Sequence, residues 1–218
     1  MRADAERNRQ RILEAARQVF AEQGIEAPMS AVARRAGVGA ATLSRRFPTR
    51  EELVTAAFSD QLGWFAAVVD EAGRDPDPWH GFCRLVEQAC GRQTGDLGFT
   101  DVLTRTFPRM LPFEARRTAV MDRFADLVSR AKASGRLRAE FVAEDLPLVL
   151  MAHAGVASVT SDAAPTAGPR LVAYLLQAFA APQAGPLPTP PTPRQMSRAL
   201  ARMQVRSRRR PTPPVSSS

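Results

Sequence analysis

Two short helices joined by a glycine turn are the structure that residues 29–47 form most readily. The segment reads MSAVARRAGVGAATLSRRF. Apolar residues at helical spacing predict a helix over 29–36, and Gly37 supplies the positive φ that ends it. A second helix follows at about 40–47. Small Ala33 suits the point where the two helices cross, so the layout predicts a helix-turn-helix, whose second helix lies in the major groove of DNA.

Longer amphipathic helices are expected on both sides of this unit. Apolar spacing predicts a first helix from Asn8 to Gly24, which ends it. Thr49 and Glu52 form a capping box, so we expect a long helix to begin there and continue to about Ala72. Three helices would then precede the long one, with the helix-turn-helix as the second and third.

The rest of the chain is also predicted to be helical. No run shows sustained alternation with a period of two, which a half-buried strand requires, so we expect an all-α chain of about nine helices. Residues 96–107 are expected to form one or two helical turns. The other predicted helices run from about Trp79 to Gln93 with Asp77 as N-cap, from Phe113 to Ser134 before Gly135, from Val142 to about Val159, and from Gly168 to Ala181.

Charge divides the chain into three parts. Residues 1–50 carry ten arginines against five acids, a net charge of +5. Residues 51–182 carry thirteen basic groups against seventeen acids, a net charge of −4, and residues 183–218 carry seven arginines and no acid, a net charge of +7. A basic head on an acidic middle is typical of a nucleic-acid binder. We predict a DNA-binding domain at 1–50, a helical domain at 51–182 and a disordered Pro/Arg-rich tail at 183–218.

Composition argues against several function classes. Cys83 and Cys90 are too far apart on one helix for a disulfide, about 10 Å of rise, and His80 and His153 complete no metal-ligand cluster. We therefore predict no catalytic residue, metal or cofactor. No run approaches the roughly 18 apolar residues of a membrane helix, so we expect a cytoplasmic protein without a membrane partner.

Small and basic residues alternate with polar ones around the second helix of the helix-turn-helix. Small residues let the backbone approach the groove, hydroxyls bond phosphates or base edges, and arginines reach phosphate or guanine. The start of the following helix can hold a phosphate, although Thr49 could be only a cap and Arg45 only a solvated side chain. We predict DNA contacts from Gly39, Ala40, Ala41, Thr42, Ser44, Arg45, Arg46, Thr49 and Arg50.

The segments ILEAARQVFAEQGIEA and MSAVARRAGVGAATLSRRFPTREELVTAAF resemble the N-terminal domain of TetR/AcrR transcriptional regulators over residues 8–58. The resemblance implies a three-helix helix-turn-helix domain followed by a helical ligand-binding and dimerisation domain. It also implies a homodimer that binds double-stranded DNA and a small-molecule effector. That family usually has a DNA-contacting aromatic at the position of Ser44, so this chain departs from the pattern there.

The later segments DVLTRTFPRMLPFEA and AKASGRLRAEFVAEDLPLVLMAHAGV look similar to the subgroup of such regulators with an SbtR-like C-terminal domain. We predict dimer contacts on the helices at 151–160 and 171–179. His153 could orient a ligand or be a hydrogen-bonded core histidine, and the other apolar candidates could be plain core. The predicted pocket residues are Phe65, Phe82, Val86, Phe99, Leu103, Phe107, Met121, Phe124, Met151 and His153.

These features favour a ligand-released repressor that binds a palindromic operator. One alternative is a basic module that coats DNA without sequence preference. Its best support is the tail segment RQMSRALARMQVRSRRR, which is predicted to form an amphipathic basic helix. Such a helix could bind DNA, touch an anionic membrane or do neither. The other is an enzyme, such as a recombinase, with a targeting helix-turn-helix, but residues 51–182 offer no catalytic constellation.

Overall fold

The computed structural model describes residues 2–92, 102–103, 111–160, 162–182, 187–190, 192 and 195. Within these ranges the only β-structure is an isolated bridge between Leu137 and Ala180, so the predicted all-α class is confirmed. The described helices are α1 (Arg2–Gln23), α2 (Met29–Ala36), α3 (Ala40–Arg46), α4 (Arg50–Gly73), α5 (Pro78–Arg92), α6 (Leu111–Ala133), α7 (Asp145–Thr160) and α8 (Ala167–Phe179).

Three glycines end helices at the predicted places. Gly24 follows α1 with a φ of 73°, Gly37 follows α2 with a φ of 64°, and Gly135 follows α6 with a φ of 73°. Residues with a Cβ seldom adopt this left-handed conformation, so glycine is the natural stop. All three helix ends could be predicted because the signal lies in one residue.

Two side chains cap helices as predicted. Thr49 Oγ1 accepts a hydrogen bond from the backbone N–H of Glu52 at 3.1 Å and caps α4. Asp77 Oδ1 accepts from the backbone N–H groups of Trp79 at 3.0 Å and His80 at 3.2 Å, ahead of α5. Each cap satisfies N–H groups that have no partner within their own helix.

Some predicted boundaries were wrong. Helix α1 begins six residues before Asn8, in a polar stretch where Gln10 Nε2 donates to Glu6 Oε1 at 2.9 Å. Such pairs stabilise a helix without any apolar periodicity. Helix α7 begins three residues after Val142, at Asp145, whose carboxylate reaches back to accept from the backbone N–H of Val142 at 3.0 Å.

The segment predicted at 96–107 lies mostly outside the described residues, where 102–103 alone are described and are helical. The predicted tail is likewise described only at 187–190, 192 and 195. The domain limits at 50 and 182 stay predictions.

Helix α4 is the central element of the packing. It packs against α1, α5 and α6, and the rings of Phe20 in α1 and Phe58 in α4 stack at 6.1 Å. Helix α5 packs in turn against α6, α7 and α8, and α7 packs against α8. A single buried apolar core therefore continues from the helix-turn-helix end into the later helices.

Three arginines at intervals of seven residues attach α6 to α4. Nη2 of Arg116 lies over Gly63, where an added Cβ would be 2.9 Å away, so a larger residue there would displace this guanidinium. Nε of Arg123 lies 3.1 Å from Oδ1 of Asp70. Arg130 Nη1 donates to the carbonyl of Gly73 at 2.6 Å. The three contacts follow α4 towards its C-terminal end and fix the relative placement of the two helices.

Candidate nucleic-acid interface and ligand cavity

The turn between α2 and α3 is closed by two backbone hydrogen bonds. The N–H of Gly37 donates to the carbonyl of Arg34 at 3.2 Å, and the N–H of Val38 donates to the carbonyl of Ala33 at 3.0 Å. These bonds form a Schellman motif, which needs the left-handed residue at its centre. Ala33 is 4% exposed, so its small side chain is buried beside this turn.

Helix α2 is held on α1 by an arginine. Arg35 Nη2 donates to both carboxylate oxygens of Glu22, at 3.0 and 2.8 Å, and its Nη1 donates to Oε1 of Gln18 at 3.2 Å. A guanidinium with several aligned bonds fixes orientation better than a single ion pair does. The arginine therefore stabilises the support on which α3 is carried.

Helix α3 buries one narrow apolar stripe. Gly39 is extended, and its carbonyl accepts from the N–H groups of Thr42 at 3.0 Å and Leu43 at 3.1 Å, which starts the helix. Leu43 is 1% exposed and Phe47, four residues later, is 5% exposed. Residues four apart lie on one helical face, so these two side chains anchor α3 and turn its opposite face outward.

That opposite face is small, polar and basic. Ala40, Ala41, Ser44 and Arg45 are all exposed, and their positions lie together on one side of the helix. Thr42 is half-buried. Of the nine residues predicted to contact DNA, seven are exposed: Gly39, Ala40, Ala41, Ser44, Arg45, Arg46 and Thr49.

Two of the predicted arginines have partners within the protein. Arg46 is exposed, and its Nη2 donates to the carbonyl of Ala5. Arg50 is half-buried, and its Nη1 donates to the carbonyls of Ile25 at 3.0 Å and Ala27 at 2.8 Å. Arg50 thus ties the start of α4 to the turn between α1 and α2, a structural role that sequence reasoning missed. A DNA contact from either arginine stays a prediction.

The helix-turn-helix lies inside a segment with a known family pattern. Residues 12–57 match the family described as bacterial regulatory proteins, tetR family. This segment is similar to the N-terminal part of TetR-family regulators. The match begins within α1 and ends within α4, so it includes the α2 turn and the whole exposed face of α3. It supports a TetR-family transcriptional regulator with a DNA-binding helix-turn-helix.

Several solved structures are similar over most of the chain. A TetR transcriptional regulator from Streptomyces coelicolor is 28% identical, covering 80% of this chain and 99% of its own, with a TM-score of 0.45. FadR from Bacillus subtilis, in complex with stearoyl-CoA, is 15% identical, covering 80% and 99%, with a TM-score of 0.52. A HlyIIR mutant protein is 14% identical, covering 80% and 96%, with a TM-score of 0.55. The last two share the fold of this chain.

The predicted pocket residues are mostly closely packed. Phe65, Phe82, Val86, Leu103, Phe124 and His153 are buried, while Met121 and Met151 are half-buried. Phe99 and Phe107 lie outside the described residues. The ring of Phe82 stacks on Phe124 at 6.4 Å and meets Phe141 edge-on at 5.1 Å. That these residues form a ligand site stays a prediction.

A cavity of about 260 Å³ lies elsewhere, beside α7 and α8. We call it the α7–α8 cavity. None of the eight described pocket candidates lines it, and no local sequence pattern marks it because its walls come from separate segments. Its lining residues are Arg138, Phe141, Asp145, Leu148, Val149, Ala152, Leu175, Phe179 and Leu187.

His153 is buried between α7 and α8. It is 4% exposed, and its Nδ1 has no hydrogen-bond partner among the described residues. Burial lowers the pKa of His153, so the imidazole is neutral at neutral pH. A Cβ added to Gly168, at the start of α8, would lie 2.8 Å from His153 Nε2, so this glycine makes room for the ring. His153 is thus a buried core histidine, and a role in orienting a ligand stays a prediction.

The predicted dimer helices expose large apolar side chains. Leu148 is 38% exposed, Val159 is 81% exposed and Tyr174 is 54% exposed. Exposed Ala152 and Gly155 lie on α7 in the same stripe of positions as Leu148 and Val159. A contiguous apolar patch that is exposed on a single chain often marks a surface that binds another molecule.

Other site classes find little support in the described ranges. No group of three or more His, Cys, Asp or Glu side chains there is placed to hold a metal ion. None of the helices described combines the length and the apolar character that crossing a bilayer requires. Burial raises the pKa of both Cys83 and Cys90 to about 12, so their thiols are poor nucleophiles.

Proposed function

We propose that the protein is a homodimeric repressor that binds a palindromic operator in double-stranded DNA and is released by a small-molecule effector. The observation that carries this proposal is the outward face of α3. Small Ala40 and Ala41 permit close approach of the backbone to the groove, and Ser44 and Arg45 offer hydrogen-bond donors to bases or phosphates. Buried Leu43 holds this face outward.

The remaining predicted contacts surround that face. Gly39 and Thr42 lie at the start of α3, Arg46 at its end, and Thr49 with Arg50 at the start of α4. In this proposal they position the domain on phosphates, while α3 reads the bases. Arg50 acts mainly through the carbonyls that it holds inside the domain.

The exposed apolar face of α7 and α8 supports a homodimer. A two-fold dimer through Leu148, Val159 and Tyr174 buries side chains that the single chain leaves open to water. It carries two copies of α3, which can then engage half-sites roughly 34–36 Å apart. The operator would share the two-fold symmetry of the protein.

The effector would bind in the helical domain and change the spacing of the two α3 helices. FadR of the same fold was solved with stearoyl-CoA, which supports a small-molecule effector as a class without naming this one. Helix α4 belongs to both parts, and Arg116, Arg123 and Arg130 attach it to α6. An effector that binds more tightly to one arrangement of α6 would favour the position of α4 that goes with that arrangement. We assign the helical domain to the SbtR-like subgroup and the protein to the cytoplasm as parts of the same proposal.

Selection of bound DNA from a random pool by the purified full chain tests this function. We expect an inverted repeat. The selected duplex should then bind Ala41→Asp at least about tenfold more weakly, because a carboxylate at the groove repels the phosphates. Ala119→Asp, at an exposed position in the middle of α6, makes the same change away from DNA and should bind like the unaltered protein.

Other outcomes favour other functions. Binding that grows with DNA length and yields no motif would favour the nonspecific coating module. If deletion of residues 183–218 abolished specific binding, the tail rather than α3 would carry it. Ser44→Tyr should strengthen binding to the selected duplex if α3 docks as in the family that it resembles, and weaker binding would indicate a different docking geometry.

A further inference from the structure

The first turns of α1 bury no apolar side chain. Helix α1 begins at Arg2, but none of residues 4–11 is buried, and the core starts at Ile12. Short helical segments without tertiary contacts are marginal in water. Arg46, at the end of α3, supplies such a contact, because its Nη2 donates to the carbonyl of Ala5. These turns are therefore held beside the end of α3 without contributing to the core.

Arg9 lies close to the bond between Arg46 and Ala5. Ala5 and Arg9 continue the stripe of buried Ile12 and Ala16 at spacings of three and four residues. Within α1 the carbonyl of Ala5 also accepts from the backbone N–H of Arg9, four residues later. Two hydrogen bonds to one oxygen, each at most about 3 Å long, place the guanidinium of Arg46 within roughly 6 Å of the backbone nitrogen of Arg9. The side chain of Arg9 is long enough to bring a second guanidinium to the same place.

No acid in this region neutralises either arginine. Arg9 is half-buried and Arg46 is exposed, and neither forms an ion pair with any of the described residues, including Glu51 and Glu52 at the start of α4. All five acids of residues 1–50 are bonded elsewhere: Asp4 to Arg7, Glu6 to Gln10, Glu14 to Arg17, Glu22 to Arg35 and Glu26 to Arg50. Like charges this close repel each other, so an anion between the two guanidinium groups would stabilise both.

We propose that Arg9 and Arg46 together bind one phosphate of the DNA backbone, beside the groove that α3 enters. The inference rests on the DNA-binding function proposed above, and it adds Arg9 to the predicted contacts. Arg46 follows Arg45, which lies on the outward face of α3, so the pair stands at the edge of the candidate interface. Guanidinium groups bind phosphate oxygens through parallel N–H bonds. Such a contact fixes the domain on the duplex without reading its sequence.

The two arginines differ in what they do before DNA binds. An arginine has five N–H donors, so the bond to Ala5 leaves Arg46 able to bond a phosphate as well. The same bond holds the turns of α1 that carry Arg9. Loss of Arg46 should therefore weaken the contact that Arg9 makes, in addition to its own.

The test measures the affinity of the full chain for the duplex selected from a random pool and for a scrambled duplex of equal length. Arg9→Gln should weaken binding to both by about tenfold or more, because a phosphate contact does not depend on sequence. Arg11→Gln removes the same charge from another face of α1 and should change the affinity by less than about twofold. Arg9→Lys keeps the charge and should retain most of the affinity.

Combining Arg9→Gln with Arg46→Met tests whether the two arginines share a phosphate. The double variant should bind only slightly more weakly than Arg46→Met alone, whereas independent contacts would multiply the two losses. Multiplied losses overturn the proposal, as does a loss for Arg9→Gln no larger than that for Arg11→Gln. The Tm of Arg9→Gln should stay within about 2 °C of the unaltered protein, and a larger drop would assign Arg9 a structural role instead. If no inverted repeat is selected, the repressor function fails, and the scrambled duplex still tests the phosphate contact.

Discussion

Replacing Arg50 with methionine distinguishes a structural role from a DNA contact. Methionine keeps an unbranched side chain but removes the guanidinium whose Nη1 bonds the carbonyls of Ile25 and Ala27, at 3.0 and 2.8 Å. Both carbonyls lie in the connection between α1 and α2, so the change loosens that connection from the start of α4. The structure therefore predicts a loss of folding stability even without DNA.

The expected size follows from the two hydrogen bonds. A hydrogen bond to a charged group contributes about 1.5–3 kcal/mol, but both bonds here share one nitrogen, and the Arg50 side chain is 31% exposed, so water competes. The ion pair with Glu26, at 3.6 Å, adds at most about 0.5 kcal/mol at such exposure. We expect the free energy of unfolding to fall by about 2 kcal/mol. For a chain of this length, that lowers the Tm by roughly 4–8 °C.

Arg45→Met is the matched control. Arg45 is exposed on the outward face of α3, so its replacement should change the free energy of unfolding by less than about 0.5 kcal/mol. It should instead weaken binding to the selected duplex and reduce the salt dependence of binding by about one counterion per site. Thermal unfolding and fluorescence anisotropy on both variants separate the effects. An unchanged Tm for Arg50→Met together with weakened DNA binding would refute the structural reasoning.

Three further predictions concern the helical domain. Gly81→Ala places a Cβ 2.4 Å from the carbonyl oxygen of Ala72 and should destabilise the fold by about 1–3 kcal/mol. In Gly91→Ala, a control in the same helix, the added Cβ meets nothing within 4 Å, so this change should stabilise the fold by up to about 1 kcal/mol. If chemical denaturation showed equal effects for the two variants, the packing of α4 on α5 would be contradicted. Since burial lowers the pKa of His153, the unfolded chain takes up a proton first as pH falls through about 6.5, and stability drops there. His153→Leu should remove this drop in the free energy of unfolding, measured by urea denaturation at a series of pH values. If stability fell with pH equally in both proteins, the imidazole would not be buried and neutral. The cysteine thiols, whose pKa values are raised to about 12, should resist iodoacetamide at mildly alkaline pH until the protein is denatured, whereas rapid labelling of the folded protein would show that they are accessible.

Signals confined to a few neighbouring residues could be predicted from the sequence. Gly37 sets the end of α2 and the Thr49 cap sets the start of α4, because the backbone conformation or hydrogen bond that each requires is local. The predicted contacts Ala40, Ala41, Ser44 and Arg45 do lie on the outward face of α3, because burial of Leu43 and Phe47 leaves the opposite side exposed. Short-range geometry thus positions the candidate interface.

Features that depend on distant residues could not be predicted in this way. The carbonyls bonded by Arg50 lie more than twenty residues earlier in the chain, and backbone acceptors leave no mark in a sequence. The α7–α8 cavity joins residues from Arg138 to Leu187, so it exists only after α7 and α8 have packed. Helix α1 begins early because polar pairs, which lack apolar periodicity, stabilise its first turns.

The central claim is that α3 reads the bases of a symmetric operator. The most direct test selects DNA from one random pool with the unaltered protein and with Ser44→Arg. An added guanidinium on the exposed face prefers guanine, so we predict an inverted repeat for the first protein and the same repeat, with a matching change towards guanine in both half-sites, for the second. An identical motif from both proteins, or no motif from the unaltered protein, would contradict the account.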